Sequence, residues 1–407
     1  MQSDKMTRHE EKEHNAASAL NVELQKIKAA QQKGIDDYVS SLPDEQKISQ
    51  LFLVNIAGNE KFQPVEHTGA LYGQAGKGGY LVPGGCLLFS YNIADTPEKM
   101  IAFNNSITDF CREYKAVPPF IAIDQEGGFV NRLRGLTGPL PSAGRVSECL
   151  PVDKAYRFYY LQGIQMKALG FHLNLAPVAE PVLDDNKKFL EERSFGDVQK
   201  VLQYGTAAVN GFQNAGIGAV LKHFPGNTNT DPHTGLPEII WNKDEVDRNC
   251  ISIFSSLFLR VPAGVLMSHA RMASSDSSVP ACLSSFWVDN MLRNRLNYEG
   301  IVFSDDIFMD ALQKNGFPPE RAVVMAINAG VDCILLSEKR FAPVAAILLD
   351  EAKDNPDFNE KIDKAVRRII AWKIQANILS LQCGKNNEWT VCIPDNERLE
   401  DRLQKFL

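Results

Sequence analysis

The sequence lacks the features that would place a protein in a membrane or on a nucleic acid. No apolar segment is long enough to span a bilayer, and Met1 is not followed by the apolar core of a signal peptide. The 43 Lys and Arg residues are outnumbered by 50 Asp and Glu residues, so the formal net charge is −7. We therefore expect no nucleic-acid partner and no membrane span. We expect a cytoplasmic protein, or a periplasmic or lipoprotein-anchored one if a leader preceded residue 1.

The sequence also lacks cysteine pairs with metal-ligand spacing and the glycine-rich loops that bind nucleotides. Of its eight cysteines, Cys86 and Cys333 fall inside apolar runs, where they are expected to be small core residues, as suits a reducing compartment. Cys383 and Cys392 flank a polar turn, and a disulfide between them would require export. No Gly-x-Gly-x-x-Gly motif follows the first apolar segment, and no Walker lysine loop is present. We expect neither a metal nor a cofactor.

Eight short apolar segments follow one another along most of the chain. They are continuous rather than alternating, which is typical of parallel strands buried on both faces, and helix-like patterns such as Val198–Ala215 lie between most of them. This alternation predicts an α/β fold, a (β/α)8 barrel of the TIM type, with a doubly wound open sheet as the alternative. The segments are Leu51–Ile56, Gly85–Phe89, Phe120–Ile123, His172–Ala176, Ala219–Leu221, Gly264–Met267, Ile301–Phe303 and Cys333–Leu336.

The regions on either side of this repeat differ from it in composition. Residues 1–18 are highly charged with scarcely any large apolar side chains, and a helical spacing of Leu and Ile follows them. We expect a helical or disordered N-terminal extension over residues 1–42, a single catalytic barrel over 43–380 and a C-terminal tail over 381–407.

Charged and polar residues directly follow five of the predicted strands. Active sites of such barrels lie at the carboxyl ends of the strands, so these side chains are predicted to line one pocket for a ligand dense in hydroxyl groups, such as a sugar. Each also has a simpler explanation: Asp124 and Asp305 could cap helices, and Arg193 could pair with a surface carboxylate. The residues are Asp124, Arg132, Glu180, Arg193, Lys222, His223, Ser268, His269, Asp305 and Asp306.

The fifth of these strands leads into a segment, residues 220–237, in which Pro225, Gly226 and Pro232 come before or between Asp231 and His233. Proline and glycine cannot continue a strand or helix there, so the polar residues must lie on a loop. A carboxylate two residues from an imidazole can fix the tautomer of the ring and raise its basicity, which suits a general acid and base near neutral pH. The alternative is an ordinary loop histidine beside a turn-forming aspartate.

Five motifs together resemble the family 3 glycoside hydrolases, most closely the bacterial β-N-acetylglucosaminidases of the peptidoglycan-recycling type. They are Asp-Gln-Glu-Gly-Gly with Asn-Arg-Leu, Glu-Arg-Ser-Phe-Gly-Asp, Lys-His-Phe-Pro-Gly, Asp-x-His-x-x-Leu-Pro and Phe-Ser-Asp-Asp, in order over residues 45–375. The resemblance implies a retaining exo-glycosidase that releases terminal N-acetylglucosamine from muropeptides or chito-oligosaccharides. It implies that Asp305 is the nucleophile and that His233, assisted by Asp231, is the acid/base. It also implies that the sugar is held by Asp124, Arg132, Arg193, Lys222 and His223.

The sequence departs from the family pattern in three places. The run between Gly226 and Asp231 is shorter than the usual Gly-His-Gly-Asp-Thr and reads Asn-Thr-Asn-Thr, Pro232 stands where Ser is usual, and Phe129 replaces a frequent Arg. The shorter loop bears on the reach of His233, and Phe129 indicates a different neighbouring subsite. The alternatives are a β-glucosidase or a glycoside phosphorylase on the same barrel, or a non-catalytic sugar-binding barrel.

Overall fold

All eight predicted strands form in the computed structural model, which describes residues 25–231, 235–276, 278–385 and 388–406. Every residue of these strands is buried except the first residue of the fifth, as expected for strands covered on both faces. The strands are β1 Phe52–Asn55, β2 Gly85–Leu88, β3 Phe120–Ile123, β4 Leu173–Asn174, β5 Gly218–Phe224, β6 Gly264–Met267, β7 Ile301–Phe303 and β8 Ile334–Leu336.

The strands form one parallel sheet that closes on itself. Their order is β7–β6–β5–β4–β3–β2–β1–β8, and a parallel bridge between Phe303 and Cys333 joins the two ends. The register of β5 against β6 shifts between Lys222 and Phe224. The predicted (β/α)8 barrel is therefore confirmed, and the open sheet is wrong because β7 and β8 are neighbours.

The side chains of each strand alternate between two apolar layers. Leu53 points into the barrel, whereas Phe52 and Val54 pack outward against the helices. Inside the barrel, the ring of Phe120 meets that of Phe303 edge-on at 6.1 Å and that of Trp372 at 5.5 Å. Each such ring contributes about 1.5–3 kcal/mol on burial, so the barrel interior is a packed core.

Helices cover the outside of the barrel. One example shows why they begin and end where they do: the Thr96 hydroxyl accepts from Lys99 N at 3.4 Å, Pro97 occupies the first turn, and Lys115 ends the helix with φ of 54°. The long covering helices are Pro97–Tyr114, Val152–Leu169, Val198–Asn214, Ser252–Phe258, Phe286–Arg295, Pro319–Ala329, Ala342–Asp354 and Pro356–Gln375.

The barrel has shorter elements in its loops. Helical turns are Thr68–Tyr72, Ser90–Asn92, Arg134–Thr137, Ala143–Cys149, Lys187–Leu190, Glu191–Arg193, Ala281–Leu283 and Asp310–Lys314. Lys243–Val246 and Asp247–Ile251 run directly into the covering helix Ser252–Phe258. Two small sheets pair Gln125–Gly127 with Val130–Asn131 and Glu238–Ile239 with Arg271–Met272. No long helix separates β1 from β2.

Both flanking regions contain ordered elements. Residues 25–41 are helical, and the helix Asp44–Gln50 follows the break at Pro43. After the barrel, Ser380–Cys383 pairs with Trp389–Cys392, so the predicted tail has secondary structure of its own. In this pairing Cys383 lies opposite Trp389 and Cys392 lies opposite Ser380, so the two cysteines do not face each other. The last helix, Leu399–Phe406, packs on the outer helices Val152–Leu169 and Pro97–Tyr114. Among the helices described, none combines the length and the apolarity needed to cross a membrane.

Candidate active site

A chain of four charged side chains lies at the carboxyl ends of β3, β4 and β5. Lys222 Nζ lies 2.7 Å from Asp124 Oδ1 and 2.6 Å from Glu126 Oε1. Arg193 donates to the other side of the same carboxylate, with Nε 2.9 Å from Glu126 Oε2 and Nη2 3.0 Å from Oε1. The resulting Asp124–Lys222–Glu126–Arg193 chain joins residues from three strand ends into one rigid group.

The charges in this group stabilise one another. Burial alone would raise the pKa of Glu126, but the adjacent charges of Lys222 and Arg193 outweigh it and lower the pKa below its usual range. Burial alone would lower the pKa of Lys222, but Asp124 and Glu126 raise it. The pKa of Arg193 is raised for the same reason. Glu126, Lys222 and Arg193 are therefore charged at neutral pH.

Glu180 and His223 form a second pair beside this group. Val178 forms a parallel β-bridge with Lys222, and Ala179 N donates to the Lys222 carbonyl at 2.6 Å. These contacts bring Glu180 next to His223. Glu180 Oε1 lies 2.6 Å from His223 Nδ1 and also accepts from Asn227 Nδ2 at 3.2 Å. Since a carboxylate accepts, Nδ1 carries the hydrogen, and Nε2 is left as the ring nitrogen that a ligand can reach.

Sequence analysis places Glu180 at the predicted pocket without a role and does not include Glu126 among the pocket residues. Both side chains are almost completely buried. Their position shortly after β3 and β4 could have indicated that they belong to the site, because a carboxylate that becomes buried needs a charged or hydrogen-bonding partner. Which cation each carboxylate meets depends on the closure of the barrel, and no local pattern reveals that.

The segment after β3 folds back as a tight hairpin. Gly127 and Gly128 turn with φ of 93° and 58°, and a Cβ on Gly127 would lie 2.1 Å from the Pro141 carbonyl oxygen. The space beside these two glycines is therefore occupied by the chain itself at residues 140–142. The hairpin carries Arg132, whose guanidinium lies 5.9 Å from the centre of the Phe89 ring.

Asp305 and Asp306 follow β7 and occupy different surroundings. Asp306 is buried, burial raises its pKa, and its Oδ1 accepts from the amides of Phe308 at 3.1 Å and Ser337 at 3.2 Å. Asp305 is partly exposed and accepts from the amide of Asp306 at 2.9 Å. His269 Nε2 lies 2.9 Å from the Asp306 carbonyl oxygen. Asp305 is therefore the more exposed of the two carboxylates, and His269 contacts the backbone of the residue that follows it.

The loop after β5 is attached to the barrel at both ends. Asn229 N donates to the Asp185 carbonyl at 2.5 Å, and its Oδ1 accepts from Lys188 N at 2.7 Å. Further on, Glu238–Ile239 pairs with Arg271–Met272. Asp231 is described and exposed, whereas His233 lies outside the described residues, so its approach to Asp305 stays a prediction.

The structure brings four of the five predicted sugar-holding residues, Asp124, Arg193, Lys222 and His223, into two adjoining groups. Arg132 lies one hairpin away, and Asp305 follows β7 at the same end of the barrel. Fixed carboxylates and cations around one cleft can hold the hydroxyl groups of a sugar. Among the residues described, no three His, Cys, Asp or Glu side chains are grouped to hold a metal ion.

The sequence of this chain is similar to those of known proteins. The model of the glycosyl hydrolase family 3 N terminal domain matches residues 45–372. A beta-hexosaminidase A from Pseudoalteromonas piscicida is 29% identical over 349 residues, which are 79% of this chain and 58% of that protein. A beta-hexosaminidase from Vibrio cholerae serotype O1 is 33% identical over 272 residues, 65% of this chain and 78% of that protein.

Two solved structures share the fold at comparable identity. A glycoside hydrolase family 3 beta-N-acetylglucosaminidase from Paenibacillus sp. str. FPU-7 superposes with a TM-score of 0.73 at 29% identity, covering 83% of this chain and 63% of that one. A beta-N-acetylhexosaminidase from Beutenbergia cavernae DSM 12333 gives 0.71 at 26% identity, covering 82% of this chain and 99% of that one. The chain thus spans 58% of the Pseudoalteromonas protein and 63% of the Paenibacillus structure, but nearly all of the Beutenbergia one.

Proposed function

Because the chain belongs to glycoside hydrolase family 3, we propose that it is a retaining exo-glycosidase that removes terminal N-acetyl-β-D-glucosamine from the non-reducing end of oligosaccharides. The observation that carries the proposal is the buried charge chain from Asp124 to Arg193, beside His223 and at the same end of the barrel as Asp305. The names of the similar proteins support the choice of sugar. Peptidoglycan fragments are the proposed natural substrates and the cytoplasm the proposed compartment.

In the proposed first step, the Asp305 carboxylate attacks the anomeric carbon of the sugar. The bond from that carbon to the leaving oxygen breaks, and the imidazolium of His233 gives its proton to that oxygen, so a covalent glycosyl-enzyme forms. Asp305 suits this role because its carboxylate is partly exposed and accepts from the amide of Asp306, which orients it. Asp124, Lys222 and Arg193 hold the sugar hydroxyls and thereby orient the anomeric carbon.

In the proposed second step, neutral His233 takes a proton from water, which attacks the anomeric carbon and breaks the bond to Asp305. Two inversions leave the β configuration unchanged. An imidazole has an ordinary pKa of about 6.5, so it can exchange a proton at neutral pH, and the Asp231 carboxylate would stabilise its charged form. The loop from Asn227 to Pro237 would carry His233 to the sugar.

The assignment of sugar is tested by comparing p-nitrophenyl N-acetyl-β-glucosaminide with the corresponding glucoside. We expect kcat/KM to favour the N-acetylglucosaminide by at least about 100-fold, since a site that hydrogen-bonds an amide rejects substrates without it. A preference for the glucoside would overturn the assignment, and no turnover of either substrate would favour a binding protein.

The assignment of roles is tested by removing each side chain and supplying azide. Asp305→Gly should lose about 10⁴-fold or more of kcat and, with azide, form the α-glycosyl azide by a single inversion, as expected for a missing nucleophile. His233→Gly should instead yield the β-azide, because azide attacks the glycosyl-enzyme. The exposed Asp310→Gly is the control and should retain wild-type turnover. The same azide configuration from both variants would contradict the assigned roles.

A further inference from the structure

A group of buried polar side chains lies between the segments that follow β6 and β7. His269 comes two residues after the end of β6, and Cys282 lies in the helical turn Ala281–Leu283. The backbone holds this turn beside the end of β6, because Cys282 N donates to the Ser268 carbonyl at 3.2 Å. Both Cys282 and His269 are fully buried, so neither can contact a sugar directly.

The imidazole of His269 connects the two segments. Its Nε2 lies 2.9 Å from the Asp306 carbonyl oxygen, and its Nδ1 lies 3.2 Å from Cys282 Sγ. A carbonyl oxygen can only accept, so Nε2 carries the hydrogen. Burial raises the pKa of the Cys282 thiol, and the negative charge of Asp305 raises it further, so the thiol is protonated at neutral pH. The thiol therefore donates to Nδ1, and both ring nitrogens have a partner.

The same series of hydrogen bonds continues to the Asp305 carboxylate. Asp306, whose carbonyl accepts from His269, donates its own amide hydrogen to Asp305 Oδ1 at 2.9 Å. The Asp306 carbonyl also accepts from Met309 N at 3.2 Å. We call the series Cys282–His269–Asp306 the support chain. A shift of the imidazole would displace the residue whose amide orients the Asp305 carboxylate.

Burial makes each member of the support chain hard to replace. Bulk water does not reach Cys282 or His269, so it cannot supply a hydrogen bond that a substitution removes. Without the thiol, Nδ1 has no donor, and the contact that fixes the tautomer and the orientation of the ring is lost. The effect of such a loss would be transmitted to Asp305 through residue 306.

We propose that Cys282 and His269 are positioning residues for the nucleophile: they direct the Asp305 carboxylate toward the anomeric carbon of the sugar. The inference rests on the proposed function, in which Asp305 attacks that carbon, and it names the residues that orient the attack. Orientation matters for the rate, because a misplacement of about 1 Å can cost about 100-fold.

The test measures the rate at which Asp305 becomes glycosylated. 5-Fluoro-N-acetyl-β-D-glucosaminyl fluoride loses its anomeric fluoride as the carboxylate bonds to the anomeric carbon, and the resulting glycosyl-enzyme is hydrolysed slowly. Fluoride leaves as an anion and takes no proton from His233, so the rate reports the nucleophile rather than the acid. Mass spectrometry gives the amount of adduct per chain, which counts the folded sites, and each rate is expressed per site.

Two pairs of variants separate the hydrogen bonds from the bulk of the side chains. Cys282→Ala should slow adduct formation about 3- to 10-fold, because a buried hydrogen bond is lost, and Cys282→Ser should recover most of that loss. His269→Asn has no donor at the position of Nε2 and should slow the reaction up to about 100-fold. His269→Gln places an amide there and should recover part of the rate. In all four variants the inhibition constant of N-acetylglucosamine should stay within about twofold of the wild-type value, because the sugar-holding residues are unaltered.

Cys111→Ala is the matched control. Cys111 is an equally buried thiol in the outer helix Pro97–Tyr114, so its removal leaves a similar void outside the support chain. Its rate of adduct formation per site should equal that of the wild type. A wild-type rate in Cys282→Ala, an equal loss in Cys282→Ser, or an equal loss in Cys111→Ala would each overturn this inference. A wild type that forms no adduct on Asp305 would instead overturn the proposed function.

Discussion

Lys222 and Lys373 are both buried lysines, and they lie at opposite ends of the same barrel. Lys222, at the carboxyl end, has the carboxylates of Asp124 and Glu126 at 2.7 and 2.6 Å, and they raise its pKa. Lys373, in the helix Pro356–Gln375, donates to the neutral oxygens of Gln50 at 2.6 Å and Pro118 at 2.8 Å. Burial lowers the pKa of Lys373 from 10.5 to about 7.

The difference between the two lysines shows that burial does not by itself decide the charge of a side chain. The partner decides it: two carboxylates compensate the lost hydration of Lys222, and two amide oxygens cannot do so for Lys373. One end of the barrel therefore holds permanent charges suited to a polar ligand, and the other holds a lysine whose charge depends on pH. This division agrees with barrels in which one face serves activity and the other serves stability.

The largest expected effect comes from removing the lysine at the carboxyl end. Lys222→Met leaves Glu126 with Arg193 alone and Asp124 without its cation, so we expect a loss of about 3–5 kcal/mol in the free energy of unfolding. We expect kcat/KM for N-acetylglucosaminide hydrolysis to fall by more than about 100-fold, because the sugar-holding group loses its centre. Urea denaturation and steady-state kinetics measure the two effects.

The matched control for Lys222→Met is Lys373→Met, which should keep most of the turnover at pH 7. Adding Asp124→Asn to Lys222→Met should restore part of the stability and none of the activity, since it removes the charge that Lys222→Met leaves without a cation. Full activity in Lys222→Met would show that the buried charge chain is not part of the site.

The next largest effect concerns the pH dependence of stability. Between about pH 7 and 10.5, Lys373 is neutral in the folded chain and protonated in the unfolded chain, so unfolding takes up a proton. Stability should therefore rise with pH across this window. Relative to Lys373→Met, the wild type should gain up to about 4 kcal/mol from pH 7 to pH 10. Urea denaturation of both proteins at several pH values measures this gain, and parallel curves would contradict the neutral state of Lys373.

The smallest expected effect comes from giving Lys373 a carboxylate partner. Gln50→Glu places a negative charge at the position whose oxygen now lies 2.6 Å from Lys373 Nζ. An opposite charge this close should raise the pKa of Lys373 by about 1–3 units, and the rise in stability should then begin at a higher pH. Gln46→Glu, on the same helix but partly exposed, is the control and should leave the pH dependence unchanged. An unaltered curve in Gln50→Glu would contradict the role given to the partner.

Much of the fold could be predicted from the sequence, because a parallel strand covered on both faces is apolar over most of its length. The segment Phe120–Ile123 matches its strand at both ends, and Ile301–Phe303 does so as well. The longer segment His172–Ala176 gives only a two-residue strand, Leu173–Asn174. A run of apolar residues indicates that the segment is buried, but buried residues can extend beyond the ends of the strand.

The sequence could predict which polar residues follow each strand, but it could not predict which of these residues are in contact with one another. The topological rule gathers Asp124, Lys222 and Asp305 at one end of the barrel. Ion pairing was not predictable in the same way: Arg193 and Glu126 are 67 residues apart, and their bidentate contact exists only once β3 and β4 are neighbours. For the same reason, the sequence does not indicate that residues 140–142 fill the space beside Gly127.

The bridge between Phe303 and Cys333 has a consequence for how the protein meets other chains. Because it links the first and last members of the sheet, each barrel strand has a neighbour on both sides. A foreign polypeptide therefore finds no row of open backbone donors and acceptors along the barrel on which to add a further strand. Fibril-like stacking of the barrel strands would first require that ring to be broken, so the protection of these strands from templated aggregation depends on the junction of the seventh and eighth.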